Sequence, residues 1–205
     1  MNILLTGFEP FGRWQHNPSG ETALHFHGAT LGEVQITSLL LPVSFQNAAP
    51  PLIAALEAVR PDAVLNLGLG TPVGVRVERV AVNRCQAPPG GDNDGYDPQG
   101  APILPAGPAT YTSTLPVGRI VDRLAMLGFS VALSDSAGEY LCNFIMYTTL
   151  HYISTHRLPT QAGFIHGSPL HTDMGESGEE KGMSLAQWIA FTETTIEVLG
   201  EAAKM

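Results

Sequence analysis

The sequence has only two cysteines, Cys85 and Cys142, and only 10 Lys and Arg against 19 Asp and Glu in 205 residues. Two thiols so far apart make no disulfide framework. The few basic residues form no cluster, and a formal charge of -9 argues against a polyanion, so no nucleic-acid partner is expected. No run approaches the roughly 18 apolar residues of a membrane span, so no membrane partner is expected either. The opening Met-Asn-Ile-Leu-Leu-Thr-Gly lacks the basic region, long apolar stretch and small-residue cleavage site of a signal peptide, which makes the reducing cytoplasm the expected location. There is no Gly-x-Gly-x-x-Gly and no Walker A sequence. Leu67-Gly-Leu-Gly70 is too short to count and reads as a strand-to-loop turn. His166-Gly-Ser-Pro-Leu-His171-Thr-Asp173 invites a metal reading but matches no common zinc spacing, so neither metal nor cofactor is expected.

What is present suits a folded domain. Hydrophobic residues make up 44% and charged residues 14%, and the apolar segments are evenly spread, so one domain over residues 1–205 is expected rather than two small ones. Asn2–Thr6 reads as a buried strand ending at Gly7. Ser19 is placed to cap a short helix with Ala23, Leu24 and Phe26. Ser44 is placed to cap another with Leu52, Ile53, Leu56 and Val59, despite Pro50 and Pro51 early in it. Val34–Pro42 and the continuous apolar run Ala63–Leu69 read as strands, the second covered on both faces. Val75–Val82 alternates, as a strand does. The stretch Gln86–Leu115 carries Gly, Pro, Asp and Asn with little periodicity, a length that loops reach when they are functional or mobile.

A helix over Val117–Leu127, closed by Gly128, a strand over Phe129–Leu133 and a helix containing Cys142 come next. A short strand, Gly163–Ile165, then ends at His166. The capping box Ser184-Leu-Ala-Gln187 starts a last helix carrying Leu185, Trp188, Ile189, Ile196 and Leu199. This alternation argues an α/β fold, a single-domain α/β/α sandwich with a mixed, mostly parallel twisted sheet. Ligands of such folds bind beyond the carboxyl ends of the strands, where the Phe8–Phe11 loop, Glu78, Cys142 and His166 are all expected.

Those residues have a shared chemistry. A thiol attacks a carbonyl as thiolate, and Cys142 lies in the first turn of its helix, where free backbone N–H groups favour negative charge and can hold an oxyanion. Gly138 allows a tight turn just upstream. The plainer reading packs Cys142 in the core beside Leu141 and Ile145; Cys85 has that reading alone. His166, at a strand end, is the best placed of seven histidines for a general base. His25 and His27 look like surface residues, and His151 and His156 fall late in a helix. Glu78 is a lone carboxylate in an apolar strand. Either it pairs with Arg76 or Arg79, one of which should point to the other face, or it orients an imidazole and completes a Cys-His-acid triad.

Four ordered motifs decide between these readings: Thr6-Gly-Phe-Glu-Pro-Phe-Gly12 with Asn17-Pro-Ser19, Glu78-Arg-Val-Ala-Val-Asn83, Ser136-Ala-Gly-Glu-Tyr-Leu-Cys-Asn143 and Gly163-Phe-Ile-His166. With weaker matches at Tyr111–Pro116, Met146–Tyr147, Leu150–Tyr152 and Met183–Leu185, the chain resembles the pyroglutamyl peptidase type I family over essentially its whole length. The resemblance implies a cysteine peptidase that removes N-terminal pyroglutamyl residues through a thioester. It implies Cys142 as nucleophile, His166 as base and Glu78 as the group orienting His166. Phe8 and Phe11 would sandwich the lactam ring, with Tyr140 and Leu69 beside it, in a homotetramer acting on peptides. A neutral ring without an α-amine suits aromatic faces plus hydrogen bonds to its amide. The chain departs from the family at Leu69, at or near a place where many bacterial relatives carry Gln. It departs again at Cys-Gln-Ala-Pro-Pro-Gly-Gly-Asp-Asn93, where relatives often have Asp-Ala-Arg-Ile-Pro-Asp-Asn and so an Arg able to steady the oxyanion or ring. Gly167-Ser-Pro-Leu-His171 likewise replaces a commoner Val-Pro-Tyr-Leu-Pro.

Overall fold

The continuous apolar run Ala63–Leu69 becomes β4, buried along all seven residues, at the centre of the sheet. A strand covered on both faces is mostly apolar and pairs the polar side chains it buries. Asn66 of β4 accepts from Thr6 Oγ1 and donates to Gly163 C=O, and the neighbours β1 (Asn2–Phe8) and β9 (Gln161–Gly167) are likewise buried beyond their first residue. The computed structural model describes residues 1–70, 74–172 and 182–204. Its other strands are β2 (Thr30–Leu31), β3 (Val34–Leu41), β5 (Val75–Glu78), β6 (Val80–Val82), β7 (Thr110–Thr112) and β8 (Val131–Ser134). Its helices are α1 (Pro18–His25), α2 (Ala49–Val59), α3 (Val117–Met126), α4 (Leu141–Thr155) and α5 (Leu185–Ala202). Seven strands form one twisted sheet in the order β2-β3-β1-β4-β9-β5-β8, with β6 and β7 paired apart from it. β3, β1, β4 and β9 run parallel. β5 lies antiparallel to β9, and β8 follows β5.

Period-two alternation divides the interior into two layers. Ile3, Leu5, Leu65, Leu67 and Ile165 point to one face, where α1, α3 and α5 bring Ala23, Ile120, Trp188 and Phe191. Leu4, Phe8, Val64 and Phe164 point to the other, against Leu52 and Leu56 of α2 and Ile145, Met146 and Tyr147 of α4. This is the expected α/β/α sandwich.

Several local expectations change. Asn17 rather than Ser19 caps α1, its side chain accepting from Ser19 N–H, and Ser19 Oγ instead receives the N–H of Phe8. Ser44 accepts from Asn47 N–H in a preceding turn and does not cap α2, whose first turn relies on its prolines. The stretch Val75–Val82 is two strands in two sheets. β5 joins the main sheet, while the chain turns at Arg79, whose C=O accepts from Ser113 N–H, and β6 pairs with β7 inside the supposed loop Gln86–Leu115. Because β5 runs against β9, Glu78 reaches the site from a reversed strand, not from a shared carboxyl edge. The capping box at Ser184 and Gln187 forms as expected.

Candidate active site

Strand register brings His166 and Glu78 together. In the antiparallel β5–β9 pair Arg76 stands opposite His166 and Glu78 opposite Phe164, so these four side chains share the face packed by α4. Glu78, fully buried, holds His166 through Oε1, 2.8 Å from Nδ1. A carboxylate only accepts, so Nδ1 carries the hydrogen and Nε2 is left as the basic nitrogen. Arg76 shares Glu78's side of the strand because it is two residues away. Arg79 faces outward to Asp135, which settles the ion-pair question raised by the sequence.

The thiol comes from α4. Tyr140 is the N-cap residue and offers no side-chain hydrogen bond, which places Cys142 in an uncapped first turn. Asn143, fully buried, pins that turn to β6: it accepts from Val82 N–H and donates to the carbonyls of Val82 and Arg84. Gly138 has φ +78, the left-handed turn expected upstream. Across the face, a Cβ at Gly68 of β4 would stand 2.8 Å from Cys142 Sγ and 2.6 Å from the Phe164 ring, and a Cβ at Gly70 would stand 2.9 Å from the His166 ring. The missing side chains at these two positions make room for the thiol and the imidazole side by side.

Cys142 and His166 line one cleft of about 680 Å³, together with Leu69, Gly70, Arg76, Phe11, Trp14, Tyr140 and the turn leading into α4. Phe11 and Tyr140 form an aromatic wall, ring centroids 6.2 Å apart, and Tyr140 is braced edge-on by Phe45. The divergent stretch Cys85–Asn93 supports this wall. Asn93 donates to Pro10 C=O beside Phe11, and buried Asp92 receives the N–H of Phe45. Cys85 is buried with its Sγ on Ala101 C=O, away from the cleft. Phe8, expected opposite Phe11 on the ring, closes β1 with its side chain 3% exposed and its ring 6.5 Å from Phe164, and it is not among the residues that line the cleft.

The electrostatics differ from what helix position alone implies. Burial pushes the Cys142 thiol up to about 12, the Glu78 carboxylate adds to the rise, and Arg76 and the residue's own N–H oppose it. Burial also pushes the His166 imidazole below its usual 6.5, with Arg76 acting in the same direction, against the hydrogen bond and charge of Glu78. Both directions favour the neutral thiol and imidazole over an ion pair. Burial likewise pushes the Tyr140 phenol up to about 12.

Sequence reasoning missed Trp14, the cleft-facing role of Arg76, Asn143 as the anchor of α4, and the space left by Gly68 and Gly70. Spacing signalled one of these: Arg76 is two residues from Glu78 on a strand. Elsewhere, His151 meets the Tyr111 hydroxyl at 2.9 Å and His171 approaches Met183 C=O. Among the described residues no three His, Cys, Asp or Glu side chains group as a metal site would need; Asp173 lies outside them.

Comparison with known proteins gives a consistent answer. A family model described as pyroglutamyl peptidase matches residues 1–201. The pyrrolidone-carboxylate peptidase of Pyrococcus furiosus is 40% identical over 169 residues, 81% of this chain and 80% of that protein. That of Thermococcus litoralis is 42% identical over 167 residues, covering 80% of this chain and 74% of the relative. The solved structure of the Thermococcus litoralis pyrrolidone carboxyl peptidase superposes with a TM-score of 0.94 at 36% identity, covering 99% of this chain and 94% of that one.

Proposed function

The chain belongs to the pyroglutamyl peptidase family and is a cysteine peptidase that removes N-terminal pyroglutamyl residues; we propose that Cys142, His166 and Glu78 carry out that cleavage. The observation that carries the assignment is the buried Glu78–His166 pair, 2.8 Å apart, in the cleft that also holds Cys142. Because both partners rest neutral, the proton moves as attack occurs. Nε2 of His166 takes the Sγ proton while Sγ bonds to the pyroglutamyl carbonyl carbon. The new oxyanion lies against the uncapped N–H groups opening α4. When the tetrahedral intermediate collapses, the C–N bond breaks and His166 returns the proton to the leaving amine, leaving a thioester. Water then attacks the thioester with His166 again as base, releasing pyroglutamate and the thiol. Glu78 holds Nδ1–H throughout and steadies the transient imidazolium.

Phe11 and Tyr140 offer flat apolar faces to the lactam ring, with Leu69 beside them, and Phe8 backs the floor through Phe164. Leu69 cannot hydrogen-bond through its side chain, so contacts to the ring amide fall to backbone groups. The experiment is release of arylamine from pyroglutamyl-arylamide. Hydrolysis is expected, blocked by iodoacetamide with the label on Cys142, retained for the most part in Cys85→Ser, and poor with prolyl-arylamide, which lacks the ring carbonyl. Efficient prolyl cleavage would contradict the slot, and insensitivity to alkylation would contradict the thiol mechanism.

No helix among the described residues is long and apolar enough to cross a membrane. The reading extends to residues 1–205 acting as one catalytic domain, in the cytoplasm, on peptides, as a homotetramer; the last two features rest on the family resemblance. Sedimentation equilibrium at four chain masses supports the assembly, and a monomer at micromolar concentration overturns it.

A further inference from the structure

One charged side chain in the cleft wall has no part in the steps above. Arg76 stands opposite His166 across the β5–β9 pair, with its side chain 26% exposed. Its Nε lies 3.6 Å from Glu78 Oε1, the same oxygen that holds His166. Glu78 Oε2 is buried and has no hydrogen-bond partner among the described residues, so the carboxylate is not fully satisfied by His166, and Arg76 is the arginine in ion-pair range of it. At its far end, a Cβ placed on Gly70 would stand 2.8 Å from Arg76 Nη2 and 2.9 Å from His166 Cδ2 and Cγ. Gly70 therefore lets guanidinium and imidazole lie together over the end of β4.

We propose that Arg76 is a positioning residue for the nucleophile–base pair. It offsets the charge of Glu78, so that His166 is oriented by a carboxylate without being kept protonated by it, and its positive potential favours loss of the Cys142 proton. The inference rests on Cys142 and His166 being nucleophile and base. The physical problem is general. A buried carboxylate against a histidine stabilises imidazolium and disfavours a nearby thiolate, both of which work against a neutral base beside an ionising thiol. A cation on the same carboxylate counters both effects: Arg76 pulls the Cys142 thiol down against the larger rise from burial and Glu78, and adds to the lowering of His166 that burial begins.

Among the described residues, the charged and titratable groups facing the pair are few. β5 gives Glu78 and Arg76. The turn before α4 gives Tyr140, with Asp92 behind it, and Glu139, which is bound to Arg84 at 2.9 Å. The loop after β1 gives Arg13, stacked on the Trp14 ring at 4.6 Å. Of the three cations, Arg84 is paired with Glu139 and Arg13 stacks on Trp14, and among the described residues Arg76 is the cation that lines the cleft with the pair and acts on both members.

The test uses Arg76→Gln, with Arg76→Met as a second neutral variant should the first fail to fold, and Arg76→Lys to keep the charge. Alkylation of Cys142 by iodoacetamide, localised by mass spectrometry between pH 7 and 10, needs no peptidase turnover. Losing a cation at this range is expected to slow it about tenfold at each pH, and Arg76→Lys is expected to stay within about threefold of the parent. The acid limb of kcat/KM on pyroglutamyl-arylamide is expected to move to higher pH in the neutral variants, because His166 then protonates more readily, and to stay in place with lysine. Unchanged alkylation and an unmoved limb in the neutral variants overturn the proposal. So does equal loss in the lysine and neutral variants, which indicates packing alone. If the parent fails to hydrolyse pyroglutamyl-arylamide, the peptidase assignment falls while the alkylation series still decides the role of Arg76.

Discussion

Replacing Cys142 with alanine is expected to lower kcat on pyroglutamyl-arylamide by about 10⁵-fold, to the level left by binding and oxyanion contacts alone. The structure makes the effect specific to this thiol. Cys85, the second free cysteine, is buried with its sulfur on Ala101 C=O and has no route to the cleft. Removing Sγ takes away one small, partly buried contact with the α4-side core, while the buried Leu141 and Ile145 still hold α4 in place. The variant should therefore fold, melt close to the parent and still bind a pyroglutamyl inhibitor between Phe11 and Tyr140. A Cys142→Ala protein that retained full activity would sink the mechanism. One that lost inhibitor binding as well would move the role of Cys142 from chemistry to architecture.

The sequence shows where that thiol lies in the helix but not its charge state. Helix position implied a lowered pKa, whereas enclosure between α4 and β4 outweighs the helix end and pushes it up. Burial depends on what faces the residue, and Gly68, 74 residues away, carries no mark in the sequence of being its neighbour. The fold was legible wherever a pattern answers to a single constraint. Ala63–Leu69 was read to its observed ends because burial on both faces demands an unbroken apolar run. The Ser184 capping box worked because its partners are three residues apart. Failures came where the partner is distant. Alternation in Val75–Val82 fits one strand as well as two, and only pairing with β9 on one side and β7 on the other divides it at Arg79. The same limit applies to Phe8, whose motif suggests a ligand contact while its strand parity, which the motif does not show, buries its ring. The ordered motifs, and not position, singled out Cys142, His166 and Glu78, since neither a lone buried glutamate nor a strand-end histidine distinguishes catalysis from packing.

Glu78→Gln is expected to cost about 10³–10⁴ in kcat, or about 4–5 kcal/mol of barrier, with a much smaller change in KM. The loss comes from proton placement. The carboxylate can only accept, which fixes hydrogen on Nδ1 and leaves Nε2 as the basic nitrogen. A glutamine in the same place can present its amide N–H to Nδ1, which moves the ring hydrogen to Nε2 and removes the base. It also withdraws the negative charge that steadies imidazolium while the leaving amine departs. Shape is nearly preserved, and Oε2 has no hydrogen-bond partner among the described residues to lose, so the fold should survive. The buried setting sharpens the outcome. Arg76, 3.6 Å away, then faces no carboxylate, and both its field and burial hold His166 neutral. The acid limb of kcat/KM should consequently move to lower pH even as the plateau falls. A fall in plateau with the limb unmoved would assign Glu78 to orientation alone. An unchanged plateau would remove it from the mechanism.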